Sequence, residues 1–164
     1  MIVAGFDPSL RNWGVSLFDY SPSSLVLLKV GIVQTSKDPS ISRNKDDLRR
    51  AQELRLSLSK VKADVFVAEL PTGSQSAVSM KSYGIVMGIL SMFDPLITVT
   101  PYDVKAVIGE RETTKKEIIC WTRDLYPSMI PTQLNKAEHV SDSILAVHAS
   151  LKKLRSFYEN PNHR

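Results

Sequence analysis

Three β-type runs crowd the first 35 residues, IVAGF, WGVSLFDY and SLVLLKVGIVQT, and only the turn signals DPSLRN and SPSS separate them. Parallel neighbours need a crossover of about a dozen residues or more, so connections this short admit only an antiparallel meander. After the polar stretch SKDPSISRNKDD, the run DDLRRAQELRLSLSKV sets Leu48, Leu54, Leu56, Leu58 and Val61 among charges, the pattern of an amphipathic helix. ADVFVAEL is β-branched and apolar, as a buried strand is. The loop PTGSQS leads into a helix over AVSMKSYGIVMGILSMF, and PLITVT supplies a fifth strand. Pro101 starts the helix PYDVKAVIG. Thr113 and Thr114 open another over TTKKEIICWTRDLYP, stopped by Pro127. A last helix begins near Asn135 and runs through AEHVSDSILAVHASLKKL to the polar end ENPNHR. The pattern predicts an α/β fold: a mixed five-stranded sheet, the meander plus parallel first, fourth and fifth strands, flanked by helices. With 164 residues, a single domain over 1–155 and a polar C-terminal tail over 156–164 are expected.

Composition narrows the function classes. A 43% hydrophobic and 23% charged chain is globular in character, and no apolar run is long enough for a bilayer. No basic-then-apolar leader precedes Asp7, which leads to the expectation of a cytoplasmic protein without membrane association. A lone cysteine, Cys120, rules out an internal disulfide, and one Cys with three His argues against structural zinc. The 21 Lys and Arg against 17 Asp and Glu give +4, which permits a polyanionic partner without requiring one.

Acids at strand ends carry the chemical signal. Asp7 follows the first strand and Glu69 ends the fourth, VFVAE; if the two strands are parallel neighbours, both carboxylates emerge at one sheet edge, the usual crevice for chemistry. Asp7 also suits a plain Asp-Pro-Ser turn, and Glu69 a loop-facing charge. In KAEHVSD, His139 and Asp142 are three apart and Glu138 and Asp142 four apart, so either pair shares a helix face and spacing does not choose between them. Taken alone this segment reads as a solvated face. Carboxylates brought together repel unless a cation holds them, and oxygen-rich clusters suit Mg²⁺ or Mn²⁺. Two such ions ~3.5–4 Å apart serve in-line phosphodiester displacement. A basic chain with such a site reads as a nuclease.

The order of these segments resembles the RuvC-type Holliday junction resolvases of the ribonuclease H-like superfamily, including versions that bacteriophages encode. GFDPSLRNWGVSLFD is similar to the family's first motif, KVGIVQT to its third strand, and VAEL to the strand ending in the second acid. SAVSMKSYGIVMGIL, with Gly84 and Gly88 four apart, resembles the helix that follows, and TPYDVKAVIGERETTK the segment that contacts DNA phosphates. EHVSDSILAVH resembles the final helix. The likeness runs from residue 1 to about residue 148 and rests on the order of the motifs, since none is decisive alone. It implies Asp7, Glu69, His139 and Asp142 as metal-binding and catalytic residues, with Glu138 placed behind them. It also implies Lys105 and Lys115 as phosphate contacts. Mg²⁺, with Mn²⁺ as substitute and two ions per site, a homodimer, and four-way or other branched DNA follow as cofactor, assembly and substrate. Cleavage would leave a 5′-phosphate and a 3′-hydroxyl. Two DNA-side positions depart from the pattern: Thr72 stands where an aromatic wedge is usual, and Arg111 where a second glycine is usual. Both bear on junction selectivity and not on metal chemistry.

Rival readings are a broader flap, fork or branched-DNA debranching nuclease, a catalytically silent branched-DNA binding module, and a sugar-kinase-like ATP-binding protein. The last needs two such domains, and the chain supplies one. Among residues without a chemical pattern, Cys120 and Met80, Met87 and Met92 are expected in the core. Arg43, Lys45, Arg49 and Arg50, interleaved with Asp46 and Asp47, are expected on a solvated face that could line a DNA path. The helix near residues 45–60 is the one dimer seam the pattern suggests. His148 carries no partner pattern.

Overall fold

The computed structural model describes residues 1–70, 76–109 and 113–160. β1 (Ile2–Asp7), β2 (Asn12–Ser21) and β3 (Ser24–Gln34) form the expected meander, and α1 (Arg43–Leu58) leads to β4 (Val65–Glu69). α2 (Ala77–Leu90), β5 (Leu96–Val99), α3 (Pro101–Ile108), α4 (Lys115–Leu125), α5 (Leu134–Ala149) and α6 (Leu151–Glu159) complete the chain. Strand order is β3-β2-β1-β4-β5, with β1 antiparallel to β2 and parallel to β4, and β4 parallel to β5. The carboxyl ends of β1 and β4 therefore lie side by side.

Strand alternation divides the core into two layers. One face of the sheet sends Val3, Val65 and Val67 into a cluster with Val140, Ile144, Leu145 and Val147 of α5. The other sends Ala4, Phe6, Phe66 and Ala68 against Leu54 and Leu58 of α1 and Val86 and Leu90 of α2. Phe6 anchors that second layer by ring contacts with Trp13, Phe66 and Phe93.

Local chemistry sets the helix limits. Thr100 accepts from the Asp103 amide and Asp103 returns to the Thr100 amide at 2.9 Å, with Pro101 in the first turn; Thr114 and Glu117 repeat this capping box at α4. The last helix is interrupted. At Ser150 the hydroxyl donates back to the Val147 carbonyl at 2.8 Å, closing α5 one residue before α6 starts at Leu151. α6 then continues to Glu159, four residues into the segment read as tail, because Leu154 and Phe157 pack on the core and Arg155 pairs with Glu159.

Several core expectations are overturned. Cys120 is exposed, since α4 buries the face carrying Ile118, Ile119 and Thr122 and Cys120 lies off it. Met80, Met87 and Met92 are also exposed: α2 turns Val86, Ile89 and Leu90 inward, and Met92 lies beyond its end. Arg50 does not belong to a solvated face. It is buried, donating to Thr35 Oγ1 at 2.8 Å and to the Leu10 carbonyl at 3.2 Å.

Candidate active site

Asp7 ends β1 directly opposite Gly14 of β2, and Glu69 ends the neighbouring β4. Helix α5 crosses above this edge, and two glycines bring it close. A Cβ on Gly14 would drive into the carbonyl of His139 and lie 3.3 Å from the Asp7 Cβ. One on Gly5 would collide with the Ser143 carbonyl and stand 2.6 Å from Val147 Cγ2. Side-chain-free positions here allow helix backbone to rest on strand backbone. Ser16 Oγ adds a buried bond to the Ser143 carbonyl at 3.0 Å. The stretch between the two contacts carries His139 and Asp142.

The seating settles which residue faces the first acid. His139 Nδ1 lies 2.6 Å from Asp7 Oδ2, while Glu138 pairs with Lys115 at the start of α4. A buried bond between Thr122 Oγ1 and Ser141 Oγ, 2.6 Å long, ties α4 to α5 and fixes Lys115 relative to the acids.

The carboxylates sense one another. Burial, then the Asp7 charge, pushes Glu69 up to about 7, with Lys105 opposing. Asp142 is also pushed up to about 7, by burial first and then by Asp7 and Glu69, with His139 and Lys115 opposing. Three acids, one histidine and two lysines thus form one electrostatic unit. Thr72 and Arg111 lie outside the described residues.

The donor chemistry fits a hard divalent ion: carboxylate oxygens at a partly buried edge, with two acids raised by burial and by the charge of their neighbouring acids. Their spacing does not close into a shell. Among the described residues no three His, Cys, Asp or Glu side chains stand close enough together to hold a metal. Asp7 is turned onto His139.

Two features escaped the sequence reading. Arg50, through Thr35 and the Leu10 carbonyl, braces the turn that follows Asp7. His148 is packed edge-on to Trp121 and bonded to the Tyr126 hydroxyl at 3.0 Å; burial lowers its value to about 4. Neither has a short-range motif. The spacing of Gly5 and Gly14 about Asp7 was the one available hint of close helix approach.

No protein-family model matches the sequence, and no curated protein matches it. Solved structures do match the fold. Thermus thermophilus RuvC in complex with a Holliday junction substrate aligns with a TM-score of 0.70 at 18% identity, over 96% of this chain and 97% of that one. The same organism's RuvC in a second structure gives 0.66 at 18% identity, over 94% and 98%. The fowlpox virus resolvase in complex with substrate Holliday junction DNA gives 0.63 at 15% identity, over 94% and 99%. The fold is that of RuvC and the fowlpox virus resolvase over 94–96% of the chain. Among the described residues, no helix is long and apolar enough to cross a membrane.

Proposed function

We propose that this chain is a metal-dependent, structure-selective endonuclease that resolves four-way and other branched DNA junctions by paired nicks. The observation that carries the reading is the convergence of Asp7, Glu69, Asp142 and His139 on one strand edge, in a fold shared with two resolvases solved on junction DNA. Asp7, Glu69, Asp142 and His139 would hold Mg²⁺, or Mn²⁺ in its place, two ions per site. Bound ions would supply an activated water and neutralise the leaving oxygen. His139, tied through Nδ1 to Asp7, keeps Nε2 for a ligand or a proton. Lys105 and Lys115, facing Glu69 and Asp142 respectively, draw the flanking phosphates to the acids, and Glu138 restrains Lys115.

Paired nicks need two sites and hence a homodimer. α2 offers a better seam than the helix near residues 45–60: Met80, Gly84, Met87 and Gly88 recur on one exposed stripe. A Cβ on either glycine would meet nothing within 4 Å, so a second backbone could approach closely. Light scattering of wild type and Met87→Glu tests the seam, with dimer and monomer the expected pair.

The decisive experiment offers labelled four-way, three-way, flap and duplex DNA to the pure protein with Mg²⁺, Mn²⁺ or EDTA. Symmetric metal-dependent nicks in the four-way junction, lost in Asp7→Asn, are expected. Equal cleavage of flaps would make it a general debranching nuclease. Binding without cleavage under every metal condition would leave only a binding module.

A further inference from the structure

A groove of about 710 Å³ opens beside the acids on the α1–α2 side of the sheet, within the ~300–1,000 Å³ range of ligand clefts. One wall is the β1–β2 turn, from Pro8, the residue after Asp7, to Arg11. The segment from Lys37 to Arg43, which opens α1, forms the second. Ser82 and Tyr83 of α2 form the third.

The acids lining this groove are already satisfied. Asp46 accepts from Arg49 at 2.6 Å and from the Asp38 amide at 3.2 Å. Asp47 pairs with Lys81 at 2.5 Å and faces Arg50 at 3.9 Å. Asp38 accepts from the Ser40 amide at 2.9 Å and from its hydroxyl at 2.5 Å. Arg50 is spent on Thr35 and Leu10. The side chains of Arg11, Lys37 and Arg43 differ: all three are exposed, and none has a hydrogen bond or ion pair among the described residues. Three uncommitted cations thus rim a cleft that starts one residue from the first acid, with an aromatic ring on its far wall.

That combination matches a single nucleic-acid strand. Phosphates seek point and fork charges along a path, and bases stack on an aromatic face without regard to sequence. At a branch the strands part, so one leaves the duplex beside the reacting phosphate. We propose that this groove carries one DNA strand away from the acids, its phosphates held by Arg11, Lys37 and Arg43 and a base laid on Tyr83. The inference rests on the branched-DNA reading above and adds a strand path to it.

The test uses full-length Lys37→Gln/Arg43→Gln, the same pair with Arg11→Gln, Tyr83→Ala and Tyr83→Phe, each checked for an unchanged melting temperature. Junction binding is read by fluorescence anisotropy in EDTA from 50 to 200 mM salt, with 2-aminopurine placed in each arm next to the branch. Each lost phosphate contact on a single strand lowers the slope of log K against log salt by about 0.7, so the double variant binds roughly 10- to 100-fold more weakly at 0.1 M salt. Tyr83→Ala should relieve the 2-aminopurine quenching in one arm, and Tyr83→Phe should keep it. Wild type that binds junctions while all variants keep its slope and quenching overturns the groove and leaves the proposed function standing. Wild type that binds no branched DNA overturns both.

Discussion

Replacing Asp142 by Asn should abolish cleavage and stabilise the metal-free fold, the second effect growing as pH rises and complete only at neutral and higher pH. The Asp142 carboxyl rises from 3.8 to about 7, burial first and the charges of Asp7 and Glu69 next. A raised folded-state value means the acid costs nothing below its unfolded value and most above its folded one. The cost grows as pH climbs from 4 to 7 and is full beyond it. About three units at 1.36 kcal/mol each would be about 4 kcal/mol, and solvent at this partly buried edge screens that to about 2–4 kcal/mol. Asn keeps the shape, and among the described residues the Asp142 carboxyl makes no hydrogen bond that the change would remove. Urea unfolding in EDTA at pH 5 and pH 8.5 reads the difference: about 1 kcal/mol in favour of the variant at pH 5, and the full amount at pH 8.5. Mg²⁺ supplied at about a hundredfold its Kd should stabilise wild type by about 2.7 kcal/mol and the variant by much less. A variant less stable than wild type at both pH values, or a difference that ignores pH, would refute the electrostatic reasoning.

Three further outcomes follow from the same geometry. His139→Ala should lose at least roughly 100-fold in cleavage rate with junction binding kept, and Glu138→Ala should keep most of its turnover, because Glu138 faces Lys115 and not an acid; single-turnover kinetics on a labelled junction would show the reverse if Glu138 were the fourth group. Gly14→Ala should destabilise by about 1–3 kcal/mol and slow cleavage, since the added methyl meets the His139 carbonyl, whereas Gly31→Ala, with open space around it, should do neither. His148, lowered to about 4 by burial, takes up a proton on unfolding below about 6.5, so its contribution to stability is lost as pH falls from 6.5 to 4, to a total of about 3 kcal/mol. His148→Gln should flatten that fall; it is read as the difference from wild type, because Glu69 and Asp142 act in the opposite sense over the same range.

The meander, the parallel strands and the acids at their ends were legible because each is written in a short window: turn residues between β-branched runs, and a carboxylate closing an apolar strand. Asp7 and Glu69 needed only strand adjacency to share an edge, and β1 does pair with β4 in parallel. What a window does not hold is the rotation of a helix about its own axis. Cys120, Met80 and Met87 are exposed for that reason, since a helix pattern shows which residues could be buried and not which face the sheet selects; Met92 is exposed because α2 ends before it. The choice between Glu138 and His139 is the same problem at the site. Spacing to Asp142 admits both, and the sheet decides: Gly14, lacking a Cβ, receives the His139 carbonyl, and that contact turns the imidazole toward Asp7 and sends Glu138 to Lys115. The information was in the sequence, but at residue 14, 125 positions from the histidine it orients. Arg50 acts the same way on the other side of Asp7, bracing a turn forty residues earlier through Leu10. The acids are read locally; their geometry is held by partners that only the folded chain brings to them.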